Sequence, residues 1–155
     1  MRFVLIDDII DLVPGRRIHG VKTLPATEQL FADHFPGFPI VPGVLLIEMM
    51  AQTAGKCLDS EGHERGKAML AQVRKAYFRH WVRPDQRADI YAEITGSTPL
   101  YGSAACRIDV RGQEVASAEL LFAFVARSQF APGFGDPVLE RFRTRNAASP
   151  GEPTE

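Results

Sequence analysis

The first hydrophobic run, residues 3–13, is dense in branched apolar side chains and predicts a strand with a bend near the adjacent acids Asp7 and Asp8. Pro14-Gly15 supplies a turn, and residues 16–23 carry the rough alternation of a second strand through Ile18 and Val21. Residues 26–33 read as a loop or short helical piece, ahead of a loop punctuated by Pro36, Gly37, Pro39, Pro42 and Gly43. From Gly43 the period changes. Val44, Leu45, Leu46, Ile47, Met49, Met50, Ala51 and Ala54 are apolar on nearly all sides of a helix of about four turns, the pattern of a helix in a protein interior. It ends at Asp59-Ser60-Glu61-Gly62.

Four longer strands follow, over residues 68–79, 87–98, 101–110 and 113–126, with Arg111-Gly112 as a tight turn between the last two. Ala116, Ala118, Leu120, Phe122 and Phe124 share one face of the final strand. One central helix followed by a run of strands predicts an α+β fold, an antiparallel sheet wrapped against a single buried helix. The main domain is expected over residues 1–127 and a C-terminal extension over 128–155. In the extension, residues 130–135 read as a linker, residues 136–142 start a short helix with Asp136 as its cap, and the chain after about Asn146 is expected to be disordered.

Composition narrows the class. The 155 residues are 45% hydrophobic and 24% charged, in the range of an ordinary globular domain. A net charge of -1 gives no general polyanion-binding surface, so nucleic acid is not an expected partner. The two cysteines, Cys57 and Cys106, lack the spacing of a disulfide framework or a metal site. Asp7, Asp8 and Asp11 interrupt the N-terminal apolar run, so no signal peptide is expected. Residues 40–54 are too few to span a bilayer and include Glu48, so a cytoplasmic protein with no membrane insertion is expected.

Candidate chemistry gathers around one segment. Glu48 interrupts the apolar helix between Ile47 and Met49, where burying a charge is costly. At about 100° per residue it shares an arc with Gln52, Lys56 and Asp59. Val44 and Leu45 fall on the same side one turn earlier, which predicts a polar stripe ending where the helix enters the interior, with Glu48 innermost. His34 heads the proline- and glycine-rich loop. Gly43 stands in the first helical turn, where amides are unpaired, the dipole is positive and a ligand oxygen can come close to the backbone. A base, an acid and an oxyanion donor are what a carbonyl-activating site needs. A solvated stripe and an ordinary loop histidine account for the same residues, and His19, His63 and His80 read as structural or surface groups.

The segment His34-Phe35-Pro36-Gly37-Phe38-Pro39-Ile40-Val41-Pro42-Gly43-Val44-Leu45-Leu46-Ile47-Glu48-Met49-Met50-Ala51-Gln52 resembles, without gaps, the signature of the FabZ-type 3-hydroxyacyl-[acyl-carrier-protein] dehydratases, H-F-P-G-x-P-x-x-P-G-V-L-x-x-E-x-x-A-Q. Ala76-Tyr77-Phe78-Arg79 with Val82, Pro84, Asp85 and Gln86 is similar to a second family stretch, and the likeness covers roughly residues 3–127. It implies a hot-dog fold, a curved antiparallel sheet around one long helix. It also implies a homodimer with His34 of one chain facing Glu48 of the other, with higher assemblies such as a hexamer of three dimers. In that reading His34 takes the C2 proton, Glu48 protonates the departing C3 hydroxyl, and the Gly43 amide binds the thioester oxygen. An apolar setting at Glu48 would favour its protonated form. Phe35, Pro42, Val44 and Gln52 line the substrate site, and no cofactor or metal is required. The partner is an acidic acyl carrier protein, with Arg74, Lys75, Arg79 and Arg83 as candidate docking residues.

Glutamate at position 48, where FabA-type relatives carry aspartate, favours plain dehydration. Asp33 stands in place of the usual glycine, the family's N-terminal helix and proline-rich lead-in are missing from the sequence, and the Pro84-Asp85-Gln86 turn is one residue short. A hot-dog acyl thioesterase, with Glu48 aiding attack of water, and a non-catalytic acyl-binding module are the alternatives.

Overall fold

The computed structural model describes residues 1–62 and 64–148. Six strands form one antiparallel sheet: β1 (Asp8–Val13), β2 (Arg17–Thr23), β3 (Lys67–Phe78), β4 (Arg87–Ser97), β5 (Tyr101–Val110) and β6 (Gln113–Val125), in the order β1-β2-β4-β5-β6-β3. A single-turn helix α1 (Leu30–Asp33) precedes the long helix α2 (Gly43–Asp59), which packs against β2, β3, β4, β5 and β6. Register shifts in β3 and β4 bend the strands around it. This is the hot-dog architecture expected from the resemblance. Inward residues of β6, from Ala116 through Phe122, are almost fully buried against α2, as the alternation predicts. Arg111 and Gly112 both take positive φ, 53° and 76°, the geometry of a two-residue hairpin turn. Among the described residues no helix is long and apolar enough to cross a membrane.

Three expectations are corrected. The strand expected over residues 3–13 begins only at Asp8. The Asp7 carboxylate accepts the Thr23 amide at 2.8 Å and the Lys22 ammonium at 2.8 Å, which closes the ladder at that point. Leu5 and Ile6 ahead of it are fully buried, so their apolar character reflects insertion into the core rather than strand pairing.

The polar stripe of α2 runs the opposite way from the helical-wheel reading. Val44, at the helix N-terminus, is 72% exposed, and Glu48 is only partly buried. Lys56 and Asp59 lie deepest, at 9% and 3% exposure. They can be buried because each has a counter-charge: Lys56 donates to Asp136 at 2.6 Å, and Asp59 pairs with Lys67 while accepting the Ala68 amide at 2.9 Å.

The third correction concerns the extension. Its helix α3 (Pro137–Ala147) is 11 residues long where a short one is expected, and it continues through Asn146. Asp136 caps it as predicted, accepting from the Val138 and Leu139 amides at 3.1 Å each, with proline in the first turn. Val138, Leu139 and Phe142 are buried, and α3 packs along β1. Arg145 reaches Asp8 and the Ile9 carbonyl, and Arg143 the Ser60 carbonyl. Burial pushes the Asp136 carboxyl up, but the Lys56 ammonium and the two capping amides outweigh it and hold it below the usual carboxylate range. The disorder expected at the chain end falls largely on residues 149–155, outside the described ones, as does His63.

Candidate functional site

The loop ahead of α2 is folded tightly by its own backbone. Phe35 and Phe38 exchange reciprocal amide–carbonyl bonds of 2.9 Å around Gly37, whose φ of 74° needs glycine. The His34 amide donates to Leu30, its carbonyl accepts from Ile40 at 3.1 Å, and its ring stacks on Phe35 at 3.9 Å. Val41 then joins the loop to Val82 through a 2.7 Å backbone bond. Phe35 and Trp81 remain exposed, and Phe38 sits edge-on to Trp81.

Pro42, with extended dihedrals, is the cap of α2, and no side chain caps the helix. Gly43 is therefore the first helical residue, its amide one of those a helix leaves without an intrahelical partner. A Cβ at Gly43 would stand 3.2 Å from the Phe78 ring, so glycine also lets β3 close onto the helix start.

One turn on, Glu48 Oε1 accepts from Gln52 Nε2 at 3.0 Å. Gln52 is itself fixed from the N-terminal segment. Its Oε1 accepts the Leu5 amide at 2.8 Å, and Nε2 also donates to the Phe3 carbonyl at 3.2 Å. Glu48, Ala51, Gln52 and Gly55 form one wall of a cavity of about 280 Å³, with Lys67–Leu70 and Phe122 opposite.

Glu48 and Gln52 are thus brought together, and Gly43 lies on the same helix, whereas among the described residues no hydrogen bond joins His34 to Glu48 within one chain. Pro42 is half-buried beside the open Val44. The four basic candidates separate. Arg83 lies over the Phe38 ring at 4.9 Å, against the loop after His34. Arg79 instead engages Ser117 and Glu114, and Arg74 lines a surface hollow with Ser103 and Glu119. Lys75 is exposed on β3. A larger cavity of about 510 Å³, around Arg17, His19, Tyr91 and Arg107, includes neither His34 nor Glu48. There His19 is held by Asp89 at 2.8 Å, consistent with a structural role; His80 contacts Gln113. No cluster of metal-binding side chains occurs among the described residues.

Sequence reasoning missed Lys67 and Asp59 as a pair, Phe78 as the neighbour of Gly43, and the Asp136–Lys56 clamp. Only the helical spacing of Glu48, Gln52, Lys56 and Asp59 hinted that these residues share one face.

Comparison with known proteins agrees with this geometry. Residues 13–118 match the family model of the ApeI-like dehydratases, described as ApeI dehydratase. A FabZ 3-hydroxyacyl-[acyl-carrier-protein] dehydratase of Desulforamulus reducens is 38% identical over 122 residues, covering 78% of this chain and 86% of that protein. The FabZ of Caldicellulosiruptor saccharolyticus is 36% identical over 78% and 87% of the two chains. In structure, the ApeI:P dehydratase heterocomplex of Xenorhabdus doucetiae superimposes with a TM-score of 0.67 at 18% identity, over 81% of this chain and 86% of that one. A Streptococcus mutans protein bound to acetyl-CoA gives 0.63 at 14% identity, over 82% and 95%, a likeness of fold alone. The signature from His34 to Gln52, the sheet curled around α2 and these matches make the chain a member of the FabA/FabZ-type dehydratase family.

Proposed function

We propose that the chain dehydrates (3R)-hydroxyacyl groups carried on an acyl carrier protein to trans-2-enoyl groups, in fatty-acid-type biosynthesis. The observation that carries this reading is the carboxylate of Glu48, held by Gln52 on the wall of a cavity one turn inside an uncapped helix start. Neutral His34 takes the proton from C2. As enolate charge develops on the thioester oxygen, the Gly43 amide and the helix dipole stabilise it. The C3 hydroxyl leaves with a proton from the Glu48 carboxyl, so one water departs and the double bond forms between C2 and C3. His34, protonated, and Glu48, deprotonated, return to their starting forms by exchange with solvent.

A homodimer completes the site in this reading, pairing His34 of one subunit with Glu48 of the other. β3 supports it: this edge strand exposes Met69, Leu70, Val73, Tyr77 and Phe78, an apolar free edge of the kind a second copy covers. Phe35, Pro42 and Val44 line the approach of the thioester. Arg83 beside the His34 loop is the best placed of the basic residues to meet an acidic carrier protein.

The test is hydration of a short trans-2-enoyl thioester, the reverse reaction, followed by loss of the conjugated absorbance. Wild type is expected to be active, with His34→Ala and Glu48→Gln each lower by about 10²–10⁴-fold. Release of free thiol and free acid instead would identify a thioesterase. Variants that match the wild type would overturn the acid–base assignment.

A further inference from the structure

Gly55 is a glycine that the protein's own packing does not explain. It lies inside α2, where glycine is less favourable than alanine, and its backbone does not need a positive φ. A Cβ built there would meet a single atom within 4 Å, Phe122 Cε1 at 4.0 Å, an ordinary contact. Gly102, by comparison, has the Leu58 side chain at 2.9 Å and is fixed by packing. Gly55 lines the same cavity as Glu48 and Gln52, so a side chain at this position would take space from the cavity.

The cavity is bounded as well. Its two walls are α2 and the start of β3, and beyond Gly55 they are tied together by Asp59 and Lys67. Asp59 is 3% exposed, pairs with the Lys67 ammonium and accepts the Ala68 amide at 2.9 Å. Lys67 also lines the cavity and donates to the Ala68 carbonyl. An apolar chain advancing from Glu48 along α2 therefore meets a paired charge that it cannot displace without stranding Asp59 in the interior.

We infer that Gly55 leaves room for the substrate's acyl chain and that the Asp59–Lys67 pair ends its channel, making this a medium-chain enzyme. The inference rests on the dehydratase reading for the position of the reacting carbons and deepens it. Helix rise puts Gly55 about 10 Å beyond Glu48. At roughly 1.3 Å per carbon along an extended chain, set by the C–C bond length near 1.5 Å, that span holds about eight carbons past C3. Acyl groups of about ten to eleven carbons reach Gly55, and those of sixteen run into the pair.

The experiment compares kcat/KM for trans-2-enoyl thioesters of four, ten and sixteen carbons in the full chain, alongside the Tm shift given by a saturated ten-carbon acyl thioester. Wild type is expected to favour ten over sixteen carbons. Gly55→Leu lowers the ten-to-four ratio tenfold or more and abolishes the ten-carbon Tm shift. Gly55→Ala lowers the same ratio while the unliganded Tm rises by about 3 °C, a combination that a purely structural glycine would not give. The double change Asp59→Asn with Lys67→Ala leaves no lone charge and is expected to raise the sixteen-to-ten ratio about tenfold. Chain profiles and Tm shifts that stay the same in every variant would overturn the inference while leaving an active dehydratase in place. A wild type inactive on all three lengths would count against the dehydratase reading alone, because the Tm shift and its loss in Gly55→Leu still decide the occupant of the cavity. A changed oligomeric state in Gly55→Leu, with an unaltered chain profile, would assign the space to the second subunit and overturn it too.

Discussion

Gln52 donates to Glu48 at 3.0 Å while its own carbonyl oxygen accepts the Leu5 amide at 2.8 Å, so the orientation of one carboxylate is set from the far N-terminal segment. The Leu5 bond fixes which end of the Gln52 amide faces Glu48: the oxygen is occupied, and only the NH2 is left to point at the carboxylate. Gln52→Leu keeps the side chain's bulk and removes all three of its hydrogen bonds, to Glu48, Leu5 and Phe3. We expect kcat for enoyl hydration to fall about 10²-fold, in line with a small displacement of a reacting group, with KM changing little. An equal loss in kcat and in Tm-derived stability would reduce Gln52 to a packing role.

Gly43→Pro isolates one hydrogen-bond donor. Proline suits the first helical position, and Pro42 already has φ -56° and ψ 137°, the conformation that a following proline requires. The Phe78 ring, 3.2 Å from a Cβ at this position, must give by a few tenths of an ångström to admit the new ring. The helix is expected to persist, with Tm near the wild-type value, while kcat drops about 10²–10³-fold through loss of the amide proton. Unchanged turnover would remove the Gly43 amide from the mechanism.

Mixing inactive subunits tests where the two proton-transfer groups reside. If His34 and Glu48 act across a two-fold interface, a dimer of one His34→Ala and one Glu48→Gln chain keeps one intact site. Random reassortment of equal amounts should then restore roughly a quarter of wild-type activity. If both groups act within one chain, every site lacks one of them and the mixture stays as inactive as its parents.

The clamp between Lys56 and Asp136 should show in stability and in its pH dependence. Asp136→Ala removes a helix cap and leaves Lys56 unpaired in the interior, which together should cost about 3 kcal/mol and lower Tm by roughly 6–12 °C. Adding Lys56→Met should recover much of that, because no lone charge remains. Asp136 titrates below its ordinary value of 3.8 in the folded chain, since the Lys56 pair and the capping amides outweigh the effect of burial. Asp8 is held down first by its bond from Arg145. A depressed carboxyl contributes stability that is complete above its unfolded value and is lost as pH falls through its folded value. Acid should therefore loosen α3 below about pH 3.8, and Asp136→Asn should remove part of that acid dependence, as read from Tm against pH.

Much of the fold was legible because its signals are local. The near-continuous apolar run from Val44 to Ala54 marked the helix, alternation from Ala116 to Phe124 marked the last strand, and Arg111-Gly112 marked the turn between β5 and β6. The His34–Gln52 signature identified the family. What stayed hidden depends on partners distant in the chain. A helical wheel shows that Glu48, Gln52, Lys56 and Asp59 share a face, but not which end of that face is deep. Depth was decided by Lys67 and by Asp136, the latter 80 residues from Lys56. Residues 3–7 looked like strand because apolar density cannot separate a ladder from a plug in the core. Gly55 carried no signal at all, since an empty space beside a glycine leaves no mark in the sequence.

The order in which the chain is made gives the Asp136 clamp one more consequence. A ribosome has finished the signature, α2 and all six strands before Asp136 emerges, so until then Lys56 sits in a nearly complete core with its charge unanswered. Nascent chains should hold α2 loosely through this stage and tighten only when α3 lies down along β1. Ending the chain just before Asp136 would freeze it in that unfinished state, with the signature intact and the helix that bears it poorly anchored.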